Sequence, residues 1–224
     1  MSASSHPQGW ATKPKDDPSV QALRNHLEKH NGIKGLDVLS PKDAERAVAL
    51  FRRDGFVVVA NVLNSEQTEF LAAGCDEVVA EIVALDVENK GNRGTHRYSF
   101  GGSSLTRSQL HRPEWQMLLD LPLVDQLVSA IFGSADYCLR SASGDFCLPG
   151  AIHYQALHSD IRDYVDAEQT PFSAFTDPTN TMSIRDLPCP YVCVNFLPQD
   201  LTALNGPTRQ IPGTQHARQS IPTL

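Results

Sequence analysis

The stretch HYQALHSDIRDY, residues 153–164, gathers Gln155, His158 and Asp160 in one short run that otherwise reads as a strand. In an extended chain, residues two apart project from the same face. His158 and Asp160 therefore present an imidazole nitrogen and a carboxylate side by side. A histidine from a distant strand would complete a 2-His-1-carboxylate face. Such a face occupies one side of an octahedral iron and leaves three positions open. Open positions let a cosubstrate chelate the metal while dioxygen takes the remaining site. A lone H-x-D pair also arises by chance, so a solvated strand end competes for the same residues. His153, alternating with Gln155, reads as an ordinary, partly exposed histidine.

These residues need elements to hold them. The run SPKDAERAVALFRRDG predicts a helix with Ser40 as N-cap and Pro41 at the first helical position. Ala44, Val48 and Phe51 share one face of it, and Gly55 is the expected left-handed terminator. FVVVANVL follows as a buried strand, from its β-branched run. A second helix begins near Asn64 or Ser65, with Leu71, Val78, Ile82 and Leu85 as its apolar stripe. ENKGNRGTHRYSFGGSS reads as a surface loop with neither GKS/T nor GxGxxG, although Arg97, Tyr98 and Phe100 are candidates to line a pocket. Helical spacing returns over RPEWQMLLDLPLVDQLVSAIFGS, broken at Pro122 and ended by Gly133.

After Gly133 short strand-like segments dominate: DYCLRSASGDFCL, AIHYQALHSD, PYVCVNFLP and TRQIPGT. Helices first and strands second imply an α+β fold, with a β-sandwich or barrel carrying the site. The aperiodic stretch 161–188 has the character of a lid or substrate-binding loop. Residues 1–38 read as an N-terminal arm and 39–224 as the catalytic-type domain.

Composition excludes several classes. The 224 residues are 41% hydrophobic and carry a net charge of −7, with no Lys/Arg-rich run, so no nucleic-acid partner is expected. No apolar run reaches membrane-spanning length, and the polar N-terminus is unlike a signal peptide. The five cysteines include no CxxC, and Cys189 and Cys193 lack the further ligands of a zinc set. A reduced, cytoplasmic setting follows. The absence of HExxH argues against a zinc hydrolase.

Three segments in order, DGFVVV after a capped helix, then PGAIHYQALHSD, then NGPTRQIPGTQH, resemble the phytanoyl-CoA dioxygenase (PhyH) family of Fe(II)- and 2-oxoglutarate-dependent oxygenases. The likeness runs from about Ser40 to the last residue. It implies a double-stranded β-helix, or jelly roll, buttressed by N-terminal helices. It further implies iron ligation by His158 and Asp160, and a cosubstrate contact from Gln155. Strand period sets Gln155 on the opposite face from His158 unless a bulge intervenes. Thr208 matches a position that bonds a 2-oxoglutarate carboxylate. The implied cofactors are Fe(II) and 2-oxoglutarate, and the implied partners are molecular oxygen and a small-molecule substrate.

Arg97, Tyr98, Arg140 and Asn195 stand as candidates for pocket contacts, with surface roles as their alternative. The family's third ligand and its 2-oxoglutarate-binding Arg are expected beyond Leu224, with His216 a weak substitute. On that expectation the chain is a truncated dioxygenase lacking its final strands. The rival reading is a jelly-roll binding or scaffold protein without catalysis. Retention of Gln155, His158, Asp160 and Thr208 together argues for the enzyme.

Overall fold

The computed structural model describes residues 36–91, 97–101, 107–149, 187–202 and 204–215, with residues 17, 18, 21, 22, 25, 29, 158, 160, 179, 181 and 182. Gln155 and His216 lie outside the described residues, as do most of the expected strand 151–160 and most of the 161–188 loop. The elements run β1 (Val38–Leu39), α1 (Ala44–Asp54), β2 (Val58–Val59), α2 (Ser65–Leu85), β3 (Arg97–Phe100), α3 (Pro113–Gln116), α4 (Pro122–Phe132) and β4 (Gly144–Cys147). Two 3-10 turns, Gln109–His111 and Met117–Leu119, flank α3. The architecture is α+β.

α1 starts later than its sequence suggests. Ser40, Pro41 and Lys42 form a turn closed by Asp43 N–H on the Ser40 carbonyl at 3.0 Å, and Asp43 is the N-cap. Proline fits that turn as well as it fits a helix start, which is why the two readings compete. The terminator is as expected, with Gly55 at φ +84° donating its N–H to the Phe51 carbonyl. Ala47 and Leu50 form the buried face of α1, packed with Leu39, Val57, Val59 and Leu127. The strand after it is short: only Val58–Val59 pairs, in parallel with Val38–Leu39.

α2 is capped by a reciprocal box. The Asn64 side chain accepts from Gln67 N–H at 2.9 Å, and Gln67 Oε1 accepts from Asn64 N–H at 3.0 Å. Leu71, Gly74, Val78 and Ile82 face inward at helical spacing. Leu85, expected on that stripe, is 72% exposed because the helix ends there and Asp86 turns the chain.

The main correction concerns Arg97–Phe100, read from sequence as loop. It is a strand, antiparallel to β4, with Tyr98 opposite Phe146 and Arg97 opposite Cys147. Alternation sends Tyr98 and Phe100 into the core and Arg97 and Ser99 to the other face. Tyr98, Phe100, Val78, Ile82 and Trp115 make one buried cluster. Within it Phe146 stacks on Tyr98 at 5.3 Å, and Trp115 meets Phe100 edge-on at 5.7 Å. Each such fully buried aromatic contributes about 1.5–3 kcal/mol. Tyr98 and Phe100 are therefore core residues and do not line a pocket. The flanking glycines had masked a strand whose identity depends on its partner 48 residues away.

The remaining helices follow their punctuation. Pro113 and Pro122 open α3 and α4, and Gly133 closes α4 at φ +72°. Of the strands expected after Gly133, β4 forms. The described parts of PYVCVNFLP and TRQIPGT carry no ladder among the described residues.

Candidate functional site

The two residues with ligand chemistry lie together. His158 Nε2 stands 3.3 Å from Asp160 Oδ1, and the side chains are 38% and 66% exposed. Two donors in cis positions on a first-row cation, each bonded at about 2.1 Å, lie about 3 Å apart. The pair thus fits one edge of an octahedral site. The same spacing suits a hydrogen bond from a protonated Nε2, and a bound cation replaces that proton. Among the described residues no group of three or more His, Cys, Asp or Glu is placed to hold a metal. The described donor set is therefore one histidine and one carboxylate.

The 187–202 segment passes beside this pair. Loss of water around the Tyr191 hydroxyl pushes its pKa up, and the Cys193 thiol and the Asp160 carboxylate push it further, against the pull of Arg140. Cys193 is raised the same way, first by desolvation of its sulfur and then by Asp160, with Asp145 adding to the effect. Its thiol reaches Asn195 Oδ1 at 3.7 Å. Tyr191, Cys193 and Asn195 alternate along the chain, so period two was the signal that could have marked them as one face. Asn195 and Arg140 are both exposed.

The outward face of β3 and β4 adds charge. Arg97 Nη1 donates to Asp145 Oδ1 at 2.9 Å, and Ser99 Oγ donates to the same oxygen. Arg97 is largely covered, its side chain 14% exposed, and its Nε is buried without a hydrogen-bond partner. Cys147, opposite Arg97, has its thiol raised by burial, an effect that Arg97 opposes and Asp145 reinforces. No sequence signal marked Asp145 as the partner of Arg97.

Thr208 stands on a separate stretch, 204–215, and is exposed. A turn stands at each end of that stretch. At one end Asn205 Oδ1 accepts from Thr202 N–H at 2.8 Å and Asn205 Nδ2 donates to the Asp200 carbonyl at 2.6 Å. Gly206 then takes φ +74°, the left-handed step expected of an Asn-Gly turn, and passes near Cys147. At the other end Ile211, Pro212, Gly213 and Thr214 turn the chain, with Gly213 at φ +76° and Thr214 Oγ1 donating to the Ile211 carbonyl at 2.8 Å. Proline followed by a positive-φ glycine is the type II pattern.

Helices interspersed with short strands, with an imidazole and a carboxylate two residues apart, define an α+β protein with a metal-ligand-type pair. Residues 51–222, more than half of the chain, match the phytanoyl-CoA dioxygenase (PhyH) family, and the chain belongs to that family. The family's fold is cupin-like, and membership suggests an oxygenase in general. Neither the curated proteins nor the solved structures give a match.

Proposed function

We propose that the chain is an Fe(II)- and 2-oxoglutarate-dependent dioxygenase that oxidises a small-molecule metabolite, built on a jelly roll of which β3 and β4 are part. The carrying observation is the 3.3 Å approach of His158 Nε2 to Asp160 Oδ1. His158 and Asp160 hold the iron, and Gln155 and Thr208 contact the cosubstrate. When bound, iron and 2-oxoglutarate supply the oxidation of a C–H bond by dioxygen, coupled to decarboxylation of the oxo acid.

The protein's own part is narrower. To hold a metal, His158 must offer an unprotonated Nε2 and Asp160 an ionised carboxylate. Holding the two side by side on one short segment removes the need to gather them from solution. Tyr191 and Cys193 lie within electrostatic reach of Asp160, and Cys193 donates to Asn195 Oδ1. All five cysteines are free, in keeping with a reducing, cytoplasmic setting. No described helix is long and apolar enough to cross a membrane.

The test is anaerobic addition of Fe(II) and 2-oxoglutarate to the protein, watched for a visible metal-to-ligand charge-transfer band. The band is expected in the unsubstituted protein and is expected to vanish in His158→Ala. Its absence from the unsubstituted protein would sink the oxygenase reading.

A further inference from the structure

The C-terminal end of α1 is closed by residues from the far end of the chain. Helices leave their last carbonyls without intrahelical partners. Here Gln215 Nε2 donates to the carbonyls of Arg52 at 2.9 Å and Arg53 at 3.3 Å, and Gly213 N–H donates to the Asp54 carbonyl at 2.8 Å. Three successive orphan acceptors are thus satisfied from about 160 residues away in sequence. The fit is close: a Cβ on Gly55 would stand 2.8 Å from Gln215 Oε1 and 3.0 Å from Gln215 Cβ.

We infer that Gln215 is a positioning residue for the cosubstrate contact at Thr208, an inference that rests on the oxygenase reading. Thr208 itself is exposed, in a stretch with no ladder among the described residues. Before it the Asn205 bonds close a local turn on Asp200 and Thr202, and after it the Gln215–Gly213 clamp ties the segment to the end of α1. A short chain fixed at both ends samples far fewer conformations than one fixed at a single end. Release of the clamp therefore leaves Thr208 on a segment whose remaining hydrogen bonds, at the Asn205 turn, are local. The helix end is a suitable anchor because its carbonyls carry the negative end of the helix dipole and favour a donor.

The chemistry makes the test directional. Gln215→Glu keeps size and shape but replaces the donor with a carboxylate facing the Arg52 and Arg53 carbonyls. Gln215→Lys restores a donor that also complements the helix terminus. Two readouts are taken at a temperature where circular dichroism shows every variant folded. Hydrogen exchange of the 205–213 amides reports the clamp, and the anaerobic Fe(II) band titrated with 2-oxoglutarate reports the contact. In Gln215→Glu the amides are expected to lose protection and the 2-oxoglutarate Kd to rise roughly three- to tenfold, the scale of one or two lost hydrogen bonds. Gln215→Lys is expected to recover most of both.

Unchanged protection in Gln215→Glu overturns the clamp. Lost protection with an unchanged Kd overturns the positioning role, since a purely structural cap alters stability alone. An unsubstituted protein that binds no 2-oxoglutarate overturns the oxygenase reading instead, and exchange still decides whether the clamp exists.

Discussion

The Tyr98 hydroxyl donates to the Asp86 carboxylate, joining the end of α2 to the start of β3 through the core. Asp86 is 4% exposed and accepts two further bonds, from Lys90 N–H at 2.8 Å and Gly91 N–H at 2.7 Å. The hydroxyl also lies 3.0 Å from Asn89 Oδ1. A buried carboxylate is tolerated because three donors converge on it.

That arrangement sets a pH dependence. Burial alone would raise the Asp86 pKa, but the hydrogen bonds from Tyr98, Gly91 and Lys90, with the Lys90 charge, outweigh it and hold the group below the ordinary aspartate range. A carboxyl lowered on folding stabilises the native state above its unfolded pKa, and that contribution disappears as pH falls through the native value. Urea unfolding is expected to show the protein losing stability below about pH 4, with Asp86→Asn losing less over the same range. Tyr98→Phe is expected to cost about 1.5–3 kcal/mol at neutral pH, because it removes a donor from a buried charge. A cost below about 0.5 kcal/mol would show that water replaces the hydroxyl.

Gly74 offers a case where two effects oppose. In the interior of α2, Gly→Ala ordinarily gains about 1 kcal/mol of helix propensity. A Cβ at position 74, however, would stand 2.5 Å from Glu114 Cγ and 3.0 Å from its Cβ. Glu114 has little freedom to retreat. It is 8% exposed, sits on α3, and bonds Arg112 Nε at 3.3 Å. Overpacking of this kind costs about 1–3 kcal/mol, so the collision wins. Gly74→Ala is expected to lower the urea midpoint, and a raised midpoint would mean that α3 shifts freely.

How much of this was legible in the sequence depends on the range of the interaction. Asn64, Gly55, Pro122 and Gly133 act on their own neighbours, and each marks its helix boundary as its chemistry predicts. Ser40 failed because proline suits both a turn and a helix start, and only the surrounding packing chooses. Arg97–Phe100 failed for a different reason. Strand identity belongs to a pair, and its partner Gly144–Cys147 is remote in sequence. In the candidate site, strand spacing and family likeness point to the same two residues, His158 and Asp160, and the structure sets them 3.3 Å apart. Asp145, Tyr191 and Gln215 were not legible, since each acquires its meaning from a contact made across the fold.

The neighbourhood of Asp160 can be tested without metal. Its charge contributes to the raised pKa values of both Cys193 and Tyr191, after desolvation in each case and, for Tyr191, after Cys193 as well. Removing a nearby negative charge favours the thiolate. Asp160→Asn is therefore expected to shift the pH profile of Cys193 alkylation to lower pH, measured peptide by peptide with iodoacetamide in the metal-free protein. Cys75, pushed up to about 11 by burial and by neighbouring Asp76 and Glu114, serves as the internal reference and should not move. An unchanged Cys193 profile would separate the 191–195 segment from Asp160.

The contact between Gly55 and Gln215 predicts a departure from additivity. Gly55→Ala places a Cβ in the left-handed region, at about 1–2 kcal/mol, and drives it against Gln215 Oε1. Gln215→Ala removes the two hydrogen bonds to Arg52 and Arg53, each with a net contribution of about 0.5–1.5 kcal/mol. In the double variant the backbone strain, the lost bonds and the 3.0 Å approach of the two Cβ atoms remain, but the collisions with Oε1 and Cδ are gone. The double variant is therefore expected to be more stable than the sum of the single losses by at least about 1 kcal/mol. Denaturant unfolding of the four proteins measures this coupling. Additivity within about 0.5 kcal/mol would mean that the clamp and the helix end are independent, and that Gly55 is needed only for its backbone.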